Sequence, residues 1–151
     1  MKKFLLILLS VIVSAVSASA QTKALGMRLG GDAELSFQQW SGNNFIEADL
    51  GLAFGTQGGL RFTGAYDFVI ASPGAWNIYV GPGAQVGIYK YAIGDSAPVN
   101  HIGVSAGGQI GAEYQIGSIP LNISVDWRPM WNFIGARGVW SSAAVGVRYR
   151  F

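Results

Sequence analysis

The sequence predicts an all-β protein: an eight-stranded antiparallel up-and-down transmembrane β-barrel preceded by a cleaved signal peptide. Three observations predict it. Apolar and polar residues alternate with period two over nearly all of the chain beyond residue 20. Turn-forming clusters punctuate that alternation at short intervals. Half the residues are hydrophobic, only 12% are charged, glycine is abundant at 22 of 151, and there is no cysteine. Disorder needs low hydrophobicity and high net charge, and a disulfide scaffold needs cysteines, so both are excluded. The irregular glycines exclude collagen, and an ordinary soluble domain carries about 25% charged residues, roughly twice the share here.

The elements follow in order. Met1-Lys2-Lys3 is basic, and Phe4 to Val13 is aliphatic except for Ser10. Ala18-Ser19-Ala20 then precedes Gln21. A basic start, an apolar run and an A-x-A site predict a signal peptide over 1–20, cut between Ala20 and Gln21, and a barrel domain over 21–151. A retained anchor would need about 20 strongly apolar residues, and Ser14 to Ala20 is too weakly apolar. Lys2 and Lys3 leave with it. The formal charge of +2 falls to zero, with eight basic and eight acidic residues remaining.

Residues 24–40 come first. Leu25, Met27 and Leu29 share parity with Ala33, Leu35 and Phe37. One long bent strand fits, and so do two strands around Gly30-Gly31-Asp32. Single-chain bacterial outer-membrane barrels have an even strand number, so two are chosen. Six further runs cover 44–55, 60–70, 76–89, 102–116, 119–128 and 143–151, for eight strands in all. Residues 44–55 show the pattern: Ile46, Ala48, Leu50, Leu52 and Phe54 on one face, Phe45, Glu47, Asp49, Gly51 and Ala53 on the other. Turn signals separate the runs at 41–43, 57–59, 72–74, 94–96, 117–118 and 135–138.

Alternation alone does not say which face is outside. The apolar face is nearly free of charge on every strand, which suits lipid all round. Gly26, Gly51, Gly81, Gly83, Gly87, Gly103, Gly107, Gly111 and Gly146 fall on the charged face, where they make room in a narrow lumen. Aromatics gather near strand ends, with Trp40, Phe45, Trp76, Tyr149 and Phe151 at one rim and Phe54, Tyr91, Trp131 and Phe133 at the other. Outer-membrane barrels carry such girdles at both interfaces. The charges then point inward: Arg28, Arg61, Arg128, Arg148 and Arg150 with Glu34, Glu47, Asp49, Asp67, Glu113 and Asp126. An unpaired buried charge is costly, so a paired ladder is expected. An eight-stranded lumen is filled by side chains, which predicts a plugged core rather than a pore. A narrow ion or small-solute path along the ladder is the alternative.

The run Val145-Gly146-Val147-Arg148-Tyr149-Arg150-Phe151 resembles the C-terminal insertion signal of Gram-negative outer-membrane barrels. The whole mature chain resembles the small OmpA/OmpX-like outer-membrane barrel family. Residues 119–129 are similar to the penultimate strand of a bacterial group described as outer membrane β-barrel domain proteins. The resemblance implies outer-membrane location, both termini in the periplasm, and outer-membrane lipid and lipopolysaccharide as surroundings. It also implies that the insertion machinery reads Val145, Val147, Tyr149 and Phe151. Loops near 30–32, 56–58, 92–100 and 134–138 would be extracellular, and turns near 41–43, 72–75 and 117–118 periplasmic. The expected state is a monomer.

The search for chemistry returns little. His101 is the only histidine, beside the longest loop. Lipid A deacylases of this architecture carry a His-x-Ser motif, and His101-Ile102-Gly103 departs from it. Ser96 and Ser105 lie near it in sequence, but a triad also needs hydrogen-bond geometry. One histidine and no cysteine argue against a transition-metal site, and Asp95 alone is no calcium loop. Glu47 and Asp49 share one strand face, where salt bridging to arginine is the expected role. Gly81-Pro82-Gly83 opens no helix and is no phosphate loop. No catalytic residue, cofactor, metal or nucleic-acid partner is predicted. The expected function is non-enzymatic, structural or in surface contact. The alternatives are a lipid A-modifying enzyme using His101 and a narrow channel.

Overall fold

A computed structural model describes residues 22–53, 59–91, 97, 99–135 and 139–151. The signal peptide, the Ala20–Gln21 cleavage site, Phe54 and Ser96 lie outside these residues. Eight strands form: β1 (Lys23–Leu29), β2 (Ala33–Ser41), β3 (Asn44–Ala53), β4 (Gly59–Ala71), β5 (Trp76–Tyr91), β6 (Val99–Ile116), β7 (Leu121–Ile134) and β8 (Val139–Arg150). Each pairs antiparallel with its chain neighbours, and β1 pairs with β8, so the sheet is a closed barrel. Residues 24–40 are two strands around a three-residue turn, and this turn keeps the apolar parity on both sides. Among the described residues, no helix is long and apolar enough to cross a membrane.

Several bounds differ from the sequence expectation. β7 continues through Pro129 to Ile134, because Met130 and Trp131 still pair with β6 or β8. Proline removes one donor, but the ladder around it holds. Ile119 belongs to the turn at 117–120, where its carbonyl accepts the Leu121 N–H at 2.8 Å. β8 begins at Val139 and β6 at Val99, so less of 92–100 is loop. Register shifts leave one extra residue at Ile70 in β4 and at Phe133 in β7. Gly42 and Gly74 take positive φ, 62° and 65°, in two of the three short turns at one end of the barrel.

The register fixes the barrel's shape. The pairs run from Ala24 through Gln38, Glu47, Ala65, Gly83, Gly107 and Met130 to Trp140. Across the closing seam Ala24 pairs with Arg150, ten residues further along β8 than Trp140. A stagger of ten over eight strands gives a tilt of about 40°, within the range for closed barrels.

Candidate functional site: the filled lumen

Strand alternation sorts the side chains cleanly. Every strand presents large apolar side chains outward, among them Met27, Leu50, Phe62, Ile88, Ile102, Val125 and Val147. The inward set is Arg28, Glu34, Glu47, Asp49, Arg61, Asp67, Glu113, Asp126, Arg128 and Arg148, all at 4% exposure or less. Arg150 is half-buried at the turn end. A surface this apolar, wrapped round a charged core, inverts the usual order for water and suits hydrocarbon.

The charges form one connected ladder down the lumen. At the loop end, Arg61 sits 2.5 Å from Asp32 and 2.6 Å from Glu34. Glu34 also pairs with Arg28 at 2.5 Å, and Arg28 donates to Asp126. Arg128 is 3.7 Å from Glu34, 2.7 Å from Glu47 and 2.7 Å from Asp49. Its Nε donates to Gln109 Oε1 at 2.7 Å. Arg148 lies 3.1 Å from Glu47 and donates to Ser36 at 2.9 Å and Ser124 at 2.7 Å. Gln38 donates to Glu47 at 2.9 Å. Guanidinium suits this work because its fixed fork serves several acceptors at once.

Two of the eleven inward charges depart from the pairing expectation. Asp67 and Glu113 are fully buried, make no ion pair among the described residues, and accept no hydrogen bond. Each sits toward the turn end of its strand. Asp32, Ser36, Gln38, Gln109 and Ser124, absent from the sequence-derived set, complete the network. Their parity with the charged residues was the available signal for the four strand residues. Asp32 lies in a turn, where parity says nothing.

Aromatic side chains close the turn end. Trp40 and Phe45 are register partners, their rings tilted 35° to each other with centroids 4.6 Å apart. Phe45 meets Tyr79 edge-on at 5.1 Å, and the Arg150 guanidinium lies 5.8 Å over Trp40. Both had been expected in the rim girdle. Phe45 is instead wholly buried in the lumen, because it shares the parity of Glu47, and Trp40 shares the parity of Gln38. Trp76 and Tyr149 at this end, and Trp131 and Phe133 at the other, do face outward.

Glycines act as seats for the large inward side chains. A Cβ at Gly87 or Gly103 would stand 2.7 Å from the Tyr89 ring, and at Gly51 3.1 Å from Arg61. Gly64, on the outer face, has nothing within 4 Å. Tyr89 accepts a hydrogen bond from Gln85 at 2.8 Å.

His101 stands opposite Tyr89 in the register, at the loop end. The Ser105 hydroxyl donates to Asn132 Oδ1. No group of three acidic, histidine or cysteine residues that could hold a metal occurs among the described residues. The inward-facing ladder can neutralise and fill the lumen.

No family model matches the chain, and no curated protein matches it. Among solved structures, it is similar to Neisserial surface protein A (NspA). That likeness has a TM-score of 0.65 and 12% identity, over 85% of this chain and 93% of that one. The N-terminal β-barrel domain of Pseudomonas aeruginosa OprF aligns with a TM-score of 0.66 and 13% identity, over 88% and 100%. The likeness is one of fold: the chain has the architecture of the small OmpA/OmpX-like outer-membrane barrels.

Proposed function

We propose that the chain is a non-enzymatic integral outer-membrane protein with a filled polar interior, serving the envelope structurally or in surface contact. The observation that carries this is the lumen itself, spanned by the ladder from Asp32 to Arg148 and closed below by Trp40 and Phe45. A transport path would need water or a moving ion where guanidinium and carboxylate now touch. The outward apolar belt supports a lipid setting, and the fold likeness supports the bacterial outer membrane. Both termini, at the tight-turn end, are assigned to the periplasm, where short turns are the rule. Outer-membrane lipid and lipopolysaccharide then surround a monomer. The insertion machinery reads Val145, Val147, Tyr149 and Phe151.

The test is fractionation of cells expressing the full chain. The protein should appear in the outer-membrane fraction and require detergent for extraction. A species soluble without detergent would overturn the proposal. Replacing Phe151 with alanine should slow assembly into the membrane without changing the mature sequence elsewhere.

A further inference from the structure

The barrel wall is not of even height. With the tilt above, each residue rises about 2.5 Å along the axis, and each step to the next strand adds about 1.25 residues. At the turn end all eight strands finish within about 6 Å of one another on this scale. At the loop end they do not. β1 stops at Leu29, while Gly59 of β4 stands about 12 Å higher and Tyr91 of β5 about 20 Å higher. The outward apolar belt follows this slope. It spans about 30 Å on β6, from Tyr114 to Ile102, but only about 10 Å on β1, from Leu25 to Leu29.

A barrel's apolar band is ordinarily about 25 Å tall. On β1 and β2 the wall is therefore too short for flat hydrocarbon. Tilting the whole barrel does not lengthen that wall. A second observation agrees. In the turn Gly30-Gly31-Asp32, Gly30 and Gly31 are exposed backbone, and Asp32 is ion-paired with Arg61. Outward-facing Leu60 and Ile88 nonetheless stand higher on the axis. Above Val145, β8 also loses its pairing with β1, so among the described residues the edge at 139–142 has no strand on that side. Open edges are not tolerated against lipid tails.

We infer that the polar headgroup layer of the membrane dips into this notch, covering the Gly30–Asp32 turn and the upper β8 edge with headgroups and water. Local thinning is the ordinary answer to a short apolar wall. The inference rests on the membrane placement proposed above and adds a lopsided lipid boundary to it. It assigns the notch to polar lipid headgroups rather than to another protein.

The experiment places single nitroxide labels on Gly31→Cys and Leu60→Cys of the full chain in phospholipid vesicles. The native sequence has no cysteine to interfere. A cysteine at 31 meets nothing within 4 Å. Leu60 lies higher yet should collide mainly with oxygen, which partitions into lipid. The label at 31 should collide mainly with a water-soluble nickel complex, so the oxygen-to-nickel preference reverses between the two sites. Oxygen preference at 31 overturns the dip. Shielding of 31 from both reagents, with disulfide dimers of Ser142→Cys, overturns it in favour of a second copy on the β8 edge. Nickel preference at Leu60 overturns the membrane placement itself, and the dip with it.

Discussion

Arg128 reaches across the lumen from β7 to touch Glu47 and Asp49 on β3, each at 2.7 Å. One guanidinium thus neutralises two carboxylates two residues apart on the same strand face. Residues 81 apart in sequence become the centre of the ladder. Removing Arg128 takes one of two arginine partners from Glu47 and the ion pair from Asp49. Arg128→Ala should therefore cost about 3–5 kcal/mol, seen as a lower urea midpoint for unfolding from detergent micelles. Adding Asp49→Asn to Arg128→Ala should recover part of that loss, since Glu47 keeps Arg148 while Asp49 is left with no ion pair among the described residues.

Asp67 behaves oppositely. It is buried with no ion pair among the described residues, so its charge is uncompensated. Asp67→Asn keeps the shape and removes the charge. The variant should be more stable by about 1 kcal/mol or more. A lowered urea midpoint would show that an unseen partner holds this carboxylate.

The glycine seats give a paired comparison. An alanine at Gly87 puts a Cβ 2.7 Å from the Tyr89 ring, while one at Gly64 points into open space. Gly87→Ala should destabilise by about 1–3 kcal/mol. Gly64→Ala should stay within about 0.5 kcal/mol of the parent. Equal effects at the two sites would contradict the assignment of inner and outer faces.

His101→Ala should leave the lipid A of expressing cells unchanged by mass spectrometry. The register sets His101 against Tyr89, and the nearby Ser105 hydroxyl is committed to Asn132. An altered acyl pattern that depends on His101 would establish the enzymatic alternative.

The sequence carried much of this architecture because a barrel strand has only two faces. Parity alone sorted Arg28, Glu34 and Asp126 from Met27, Leu35 and Val125, with no knowledge of which strands are neighbours. Where nearness to a strand end was weighed above parity, the expectation failed. Trp40 and Phe45 sit near strand ends, which suggested a girdle, yet their faces are those of Gln38 and Glu47, and they cap the lumen instead. Partner choice was also illegible. Arg128 meets Glu47 through a stagger of ten residues that arises only when the sheet closes. Asp32 escaped notice because a turn has no period. Pro129 suggested a strand end, but pairing of the residues around it outweighed the loss of one N–H.

The central claim is that the lumen is filled. Planar-bilayer recording of the purified full chain tests it most directly. Insertion should produce no steady conductance for the parent protein, while Phe45→Ala, which removes the buried ring below the ladder, should be the variant most prone to leak. Steady, reproducible conductance by the parent protein would contradict a filled interior.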